Sequence, residues 1–201
     1  MRTASAILAA STLCLLAGCG GSPDGSDGTT ETVQSPLEAS GQVQFYASVK
    51  GAKQGQFKGE STEAKHQAEI PAFRFYWDAT SPTDSATGQA TGKATYSPIQ
   101  ITKAFGNSDP QFLNALSSNE VLTTVTFSFE KPDPTGTVKT WQTVTLTNAR
   151  VTDLQRATID IGDTNHTSMF ADQISLTFQK LTLTDADGSI SAMVDRSPAA
   201  P

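Results

Sequence analysis

The sequence predicts a mainly β fold, an antiparallel barrel or sandwich carrying one short α-helix. Three observations predict it. Apolar residues recur at every second position in one segment after another; the chain is rich in threonine and poor in helical patterns; and a single segment shows helical spacing. Of the 201 residues 37% are apolar and 17% charged, enough to bury a core and too little charge for a coiled coil or a charge-rich disordered chain.

Val43, Phe45, Ala47 and Val49 alternate with Gln44, Tyr46, Ser48 and Lys50, so the first strand has one buried and one polar face. Residues 69–77 read as a second, with Phe73, Phe75 and Trp77 on one face, Ala72, Arg74 and Tyr76 on the other, and Pro71 at its start. A third spans 94–105, where Ile99 and Ile101 alternate with Gln100 and Thr102. The clearest is 121–130, with Val121, Thr123, Val125, Phe127 and Phe129 expected on one face. Lys131-Pro132-Asp133-Pro134-Thr135-Gly136 then reads as a turn, because proline fixes φ and glycine permits the reversal. Residues 138–146 return as its hairpin partner. Residues 151–154 and 173–183 complete the set; in the last, Ile174, Leu176 and Phe178 share a face, and a bulge would shift the inward face to Leu181 and Leu183.

The exception is Asp109 to Leu116. Asp109 is placed to cap the first free amides, Pro110 suits the first helical position, and Phe112, Leu113 and Leu116 fall on one stripe. A helix this short is unstable alone, so it is expected to dock on the sheets.

The N-terminus has a different character. One positive charge at Arg2, an apolar run from Ala6 to Leu16 and small residues before a cysteine have the layout of a secretory signal peptide. Leu16-Ala17-Gly18-Cys19 matches the lipobox of bacterial lipoprotein precursors, which implies cleavage between Gly18 and Cys19 and acylation of Cys19. An ordinary signal peptide that happens to contain a cysteine is the alternative. Both cysteines, Cys14 and Cys19, fall in this region, so the processed chain would keep only the lipid-bearing one. Loss of Arg2 takes one base from 14, and the formal charge moves from −6 to −7. Acyl chains rather than overall charge would therefore hold the protein to lipid. Gly20, not aspartate, follows the cysteine, which favours the outer membrane, facing periplasm or surface, under the enterobacterial sorting rule.

The organisation expected is a leader at 1–18, the lipidated cysteine and a flexible linker at 19–40, one domain at 41–194 and a disordered tail at 195–201. The linker is rich in Gly, Ser, Thr, Asp and Pro, and as a coil would have an end-to-end distance of about 25 Å.

An acidic chain offers no basic face for phosphate neutralisation, so nucleic acid is excluded as a partner. His66 and His166 are far apart in sequence, and a zinc site is not expected. No serine lies in a nucleophile elbow, and no glycine run fits a phosphate loop. Gly51, Gly55 and Gly59 read as a mobile connection. Lys50, Lys53, Lys58 and Lys65, interleaved with Glu60 and Glu63, read as a solvated loop. Asp185-Ala186-Asp187-Gly188 resembles a fragment of a calcium loop, yet lacks the downstream acid and reads as a turn. Asp160, Asp163 and His166 fall in what looks like an exposed connection. No catalytic, cofactor or metal residue is assigned.

Five segments in order carry a resemblance. They are Gly55-Gln56-Phe57-Lys58-Gly59-Glu60-Ser61-Thr62 with His66 and Ile70; Ser85-Ala86-Thr87-Gly88-Gln89-Ala90-Thr91-Gly92-Lys93 with Pro98 and Ile101-Thr102-Lys103; Pro110, Leu113, Ala115-Leu116, Asn119-Glu120 and Leu122; Val144-Thr145-Leu146-Thr147-Asn148-Ala149 with Val151; and Ser175-Leu176-Thr177-Phe178-Gln179-Lys180. Together they resemble the Hcp (hemolysin-coregulated protein) tube proteins of bacterial type VI secretion. The resemblance implies a compact barrel of two sheets with one short helix, assembling into ring-shaped hexamers that stack as a tube and carry small effectors. It makes His66 a structural residue. Tube proteins of that family are assembled in the cytoplasm and carry no signal peptide, so the leader and lipobox set this chain apart. Two readings follow: a ring or tube component attached to the envelope, possessing type VI components as partners, and a monomeric lipid-tethered binding module that reuses the barrel. An enzyme is left with no nucleophile, metal or acid–base pair in view.

Overall fold

The computed structural model describes residues 45–160, 168–186 and 188–197. The expected leader, Gly18, Cys19, the linker, Asp163 and His166 lie outside them. In chain order the elements are β1 (Phe45–Gly51), β2 (Gly55–Gln56), β3 (Ile70–Tyr76), β4 (Ala79–Thr80), β5 (Thr95–Tyr96), β6 (Ile99–Ala104), α1 (Asp109–Ser117), β7 (Leu122–Pro132), β8 (Val138–Asp160), β9 (Ser168–Thr177), β10 (Lys180–Asp185) and β11 (Ser191–Asp195). Among the described residues the fold is mainly β with one short helix and two sheets, as the sequence indicates.

All pairings in the nine-stranded sheet are antiparallel, in the order β11-β10-β8-β7-β1-β3-β6-β9 with β2 on β1, and β4 and β5 form a separate pair. β8 is long enough to change partners. Gln142 to Thr147 pair with β10, and Arg150 to Asp160 pair with β9. Because β9 stands at the other end of the order, this second contact closes β8-β7-β1-β3-β6-β9 into a ring. Closure satisfies both sides of every strand in the ring and leaves the β10–β11 hairpin as an appendage. Asn148, with φ of +50°, turns β8 where it changes partner, a conformation asparagine tolerates better than most residues.

Strict alternation predicts the wrong inward residues wherever a bulge intervenes, since one extra residue swaps the two faces. In β3 the register shifts between Ala72 and Arg74, so Ile70 and Ala72 are buried before the bulge and Phe75 and Trp77 pack on the core after it. Phe73 is the extra residue and lies outside the core, and Ala72, expected on the polar face, is within it. In β7 the register against β1 shifts at Gly51, and Leu122 rather than Val121 or Thr123 precedes Val125 and Phe127 in the core. The segment 173–183 is broken rather than bulged: β9 ends at Thr177, and β10 starts at Lys180. Phe178 and Leu181 are both buried, and Leu183 packs against the core.

Phe45, Phe75, Phe127 and Phe129 form the centre of the core, with ring centroids 5.1–5.9 Å apart, mostly edge to face, the geometry the ring quadrupoles favour. α1 seals one end. Phe112 and Ala115 are fully buried, and Phe112 meets Phe57 edge-on at 5.2 Å. Two expectations for the helix are corrected. Leu113 is 56% exposed, because its position turns it away from the stripe set by Phe112 and Ala115. Asp109 does not cap the helix: Ser108 is the N-cap, with no side-chain capping bond, and the Asp109 carboxylate is engaged elsewhere.

Candidate functional site

The alternation that builds the barrel wall ends in charge. In β6, Ile99, Ile101 and Lys103 follow one another on one face, and their partners in β9 are Leu176, Ile174 and Asp172. β8 adds Val151, Leu154 and Arg156 against the same three β9 residues. Two apolar layers are thus followed by a layer of Lys103, Asp172 and Arg156. The side chains of Lys103 and Asp172 are fully buried, and an unpaired charge there would cost several kcal/mol, of order 3–5 when a partner is removed.

They are paired. Lys103 Nζ donates to Asp109 Oδ1 at 2.5 Å and to the Ala104 carbonyl at 2.6 Å, and lies 3.6 Å from Glu60 Oε1. Arg156 donates from Nε to Asp172 Oδ1 at 2.8 Å and from a terminal nitrogen to Asp172 Oδ2 at 2.9 Å. The same nitrogen reaches Asp109 Oδ2 at 3.0 Å, and Gly106 N–H donates there at 2.9 Å. Glu60 Oε1 accepts from both the N–H and the hydroxyl of Ser108, each at 3.0 Å. Hydrogen bonding to Asp172 holds the Arg156 guanidinium above its usual range, although burial works against the charge. The guanidinium also lies 4.2 Å over the Phe105 ring, which stacks on Phe170. The network joins β6, β8, β9, the helix start and the loop after β2 in one ionic plug.

A second carboxylate organises the loop between β1 and β2. Glu120 accepts the backbone N–H groups of Lys53 and Gln54 at 2.6 and 2.9 Å and the Gln54 amide at 2.9 Å. Burial alone would raise its pKa, but these donors together hold it below the usual range. A third cluster surrounds His66, which stacks on Tyr46 with ring centroids 4.0 Å apart and nearly parallel planes. Its Nδ1 lies 2.7 Å from Glu69 Oε2 and its Nε2 3.0 Å from Glu130 Oε1, which also accepts from Lys65 at 2.8 Å. This contact explains why Tyr46, on the expected polar face of β1, is 6% exposed.

Lys50, Lys53, Lys58, Lys65 and Glu63 are exposed, as expected of a solvated loop, but Glu60 is not part of it, and Gly51 and Gly59 are held by close packing rather than forming a loose connection. A Cβ on Gly51 would stand 2.4 Å from Glu120 Oε1, and one on Gly59 2.0 Å from the Glu69 carbonyl. Glu60 belongs to the plug. Asp185 serves its own turn, accepting from Ile190 N–H and Ser189 Oγ at 3.1 Å. No group of three or more His, Cys, Asp or Glu side chains that would hold a metal occurs among the described residues. The plug does leave a signal in the sequence: Lys103 and Asp172 continue the Ile99/Ile101 and Leu176/Ile174 alternations, and a charge in line with core positions needs a partner. One open surface cleft, of about 610 Å³, is bordered by Asn148, Arg150, Phe178 and Arg196. Tyr76, Phe170, Ile190 and Met193 stand more than half exposed around the outside.

A closed ring of strands whose interior is filled by side chains and capped by ion pairs and a helix defines a packed β-barrel protein. The family model described as "Type VI secretion system effector, Hcp" matches residues 46–184, and the chain belongs to that family, as a structural protein of the type VI secretion tube kind. It is 29% identical over 168 residues to the "Major exported protein" of Pseudomonas aeruginosa, covering 77% of this chain and 96% of that protein. Among solved structures it resembles an Hcp protein of Escherichia coli (EAEC 042 pathovar) at a TM-score of 0.68 and 22% identity, covering 77% of this chain and 99% of the other. The secreted protein Hcp3 of Pseudomonas aeruginosa is similar at a TM-score of 0.61 and 22% identity, covering 75% and 98%. Among the described residues no helix is long and apolar enough to cross a membrane.

Proposed function

We propose that this chain is a ring-forming structural component of the type VI kind, exported through its leader and held at the cell envelope by a lipid on Cys19. The observation that carries the first half is family membership across the whole closed barrel, from residue 46 to 184. The stoppered interior supports it, since stacking barrels into a tube needs a subunit that does not deform. Leu16-Ala17-Gly18-Cys19 supports the second half. In this reading the ring is a hexamer, its partners are further copies of itself, type VI components and small effectors, and it attaches to the outer membrane facing periplasm or surface.

The test is the solution mass of the chain from Cys19 onward, by light scattering behind gel filtration, with negative-stain images of any large peak. A six-subunit mass with annular particles supports the ring. A monomer that persists at high concentration overturns it and leaves the tethered binding module. Mass spectrometry of the N-terminal peptide from cells separately decides the anchor: acyl chains on Cys19 support it, and an unmodified Cys19 overturns it.

A further inference from the structure

β1 begins at Phe45, which pairs with Phe129 of β7. Beyond Phe129 the β7–β8 hairpin runs on through the pairs Glu130 with Thr140, Lys131 with Lys139 and Pro132 with Val138. The chain before Phe45 therefore joins the barrel at the end from which this hairpin projects.

The hairpin is built unusually on one side. Gln142 faces Phe129 and Thr140 faces Glu130, so Trp141 between them has no partner and is the extra residue of a bulge. A bulge re-aims its side chain. The Trp141 ring is 39% exposed, with Lys131 Nζ 4.8 Å from its centroid, and Val138 is half exposed at the hairpin tip. Lys139 stands on the same projection, and Lys65 reaches it from the segment before β3, donating to Glu130 and to the Val138 carbonyl; both side chains are more than half exposed. The two carboxylates there are already engaged, Glu130 by Lys65 at 2.8 Å and Asp133 by Lys139 at 2.9 Å. What remains outward is the indole of Trp141 with the Lys131 ammonium over it and an aliphatic tip at Val138, while Lys65 and Lys139 balance the two carboxylates. Indole rings are favoured at headgroup depth, and lysines near an anionic surface gain from its potential.

We infer that this hairpin end is a membrane-contact surface that rests against an anionic lipid bilayer with Trp141 at the headgroups. The inference rests on the proposed lipid at Cys19, because that anchor brings this end of the barrel to the bilayer first. If residues 19–40 are the flexible linker the sequence predicts, their end-to-end distance of about 25 Å keeps the hairpin within reach of the lipid surface. The acidic charge of the whole chain makes the contact local and oriented rather than a general attraction.

The experiment couples the chain from Cys19 onward, through its one thiol, to maleimide-bearing lipid in vesicles of phosphatidylglycerol and brominated phosphatidylcholine, and reads tryptophan quenching. Trp77, packed on the core, supplies the background, and Trp141→Phe removes the reporter at an exposed position. The intact chain is expected to be quenched well beyond Trp141→Phe, and Lys131→Glu to lose most of that difference. Equal quenching of the intact chain and Trp141→Phe overturns the proposal. So does protection of Trp141 that persists without lipid and scales with protein concentration, which would assign the surface to a second copy. Since the coupling replaces the natural lipid, these outcomes do not depend on whether cells acylate Cys19.

Discussion

Arg156 grips Asp172 with two hydrogen bonds, 2.8 Å from Nε and 2.9 Å from a terminal nitrogen, while that same nitrogen reaches Asp109 at 3.0 Å. One exposed-side cation thereby connects two strands that close the barrel with the first residue of the helix that seals it. On the other side of Asp109, Lys103 is wholly buried and has only acidic or carbonyl oxygens around it. The strongest consequence lies there. Lys103→Met keeps much of the volume but leaves Glu60 and Asp109 short of a cation, and is expected to lower unfolding free energy by about 3 kcal/mol, as removal of one member of a buried pair does. Adding Asp109→Asn to that variant is expected to recover part of the loss, because one uncompensated negative charge goes with it. Urea unfolding of the two single variants and the double variant measures the coupling, and strict additivity would show that the pair is not one unit.

The overall architecture was readable because it depends on local, periodic signals, whereas the plug depends on residues brought together from five segments. Alternation placed β1, β3, β6, β7 and the β7–β8 hairpin, and Pro110 placed the helix start. It misplaced Phe73, Val121 and Thr123 because a bulge is a one-residue insertion in register that leaves no mark on the composition of a strand. Glu60 looked solvated from its lysine-rich neighbours, since nothing in sequence says that Ser108 and Lys103 will stand beside it. Two-residue strands such as β2 and β4 are below the length at which alternation can be recognised.

Gly59 illustrates a constraint that spacing alone did not explain. Its N–H donates to the Ala68 carbonyl at 2.8 Å, and the space a Cβ would need is taken by the backbone of Glu69 at 2.0 Å. Backbone cannot step aside as a flexible side chain can. Gly59→Ala is therefore expected to cost about 3 kcal/mol or more through forced displacement of β3. Gly136 is the contrast, with φ of +83° and open space around it; Gly136→Ala is expected to cost only about 1–2 kcal/mol, the left-handed backbone penalty. Thermal melts of both variants rank them, and a Gly59→Ala protein as stable as the parent would contradict the packing.

The β7–β8 turn has its own pH dependence. Asp133 accepts from the Thr135 hydroxyl and Lys139, then from the backbone N–H groups of Thr137 and Thr135, and these move its pKa from an ordinary 3.8 to about 2. A carboxyl lowered in the folded state binds its proton more readily when unfolded, so its contribution is fully present above about pH 4 and fades as pH falls through 2. The turn should loosen across that window before the barrel does. Carboxyl NMR titration of Asp133 is expected to give a midpoint near 2, and Thr135→Ala to move it upward because the hydroxyl that donates to the carboxylate is gone. A midpoint unchanged by Thr135→Ala would assign the shift to Lys139 instead.

The helix offers the sharpest separation between pattern and packing, because two neighbouring apolar residues have opposite fates. Phe112 is fully buried against Phe57, while Leu113 is 56% exposed. Phe112→Ala removes a ring from the end seal and is expected to cost about 3–5 kcal/mol, the usual range for an aromatic core truncation. Leu113→Ala removes less than half of the surface that a fully buried leucine would lose and exchanges one good helix former for another, so a cost of about 1 kcal/mol or less is expected. If Leu113→Ala proves costly only at high protein concentration, the exposed leucine is buried between copies, and the helix belongs to a contact between subunits. Unfolding measured on dissociated and assembled protein separates the two, since a subunit contact makes stability depend on protein concentration and an intrachain contact does not.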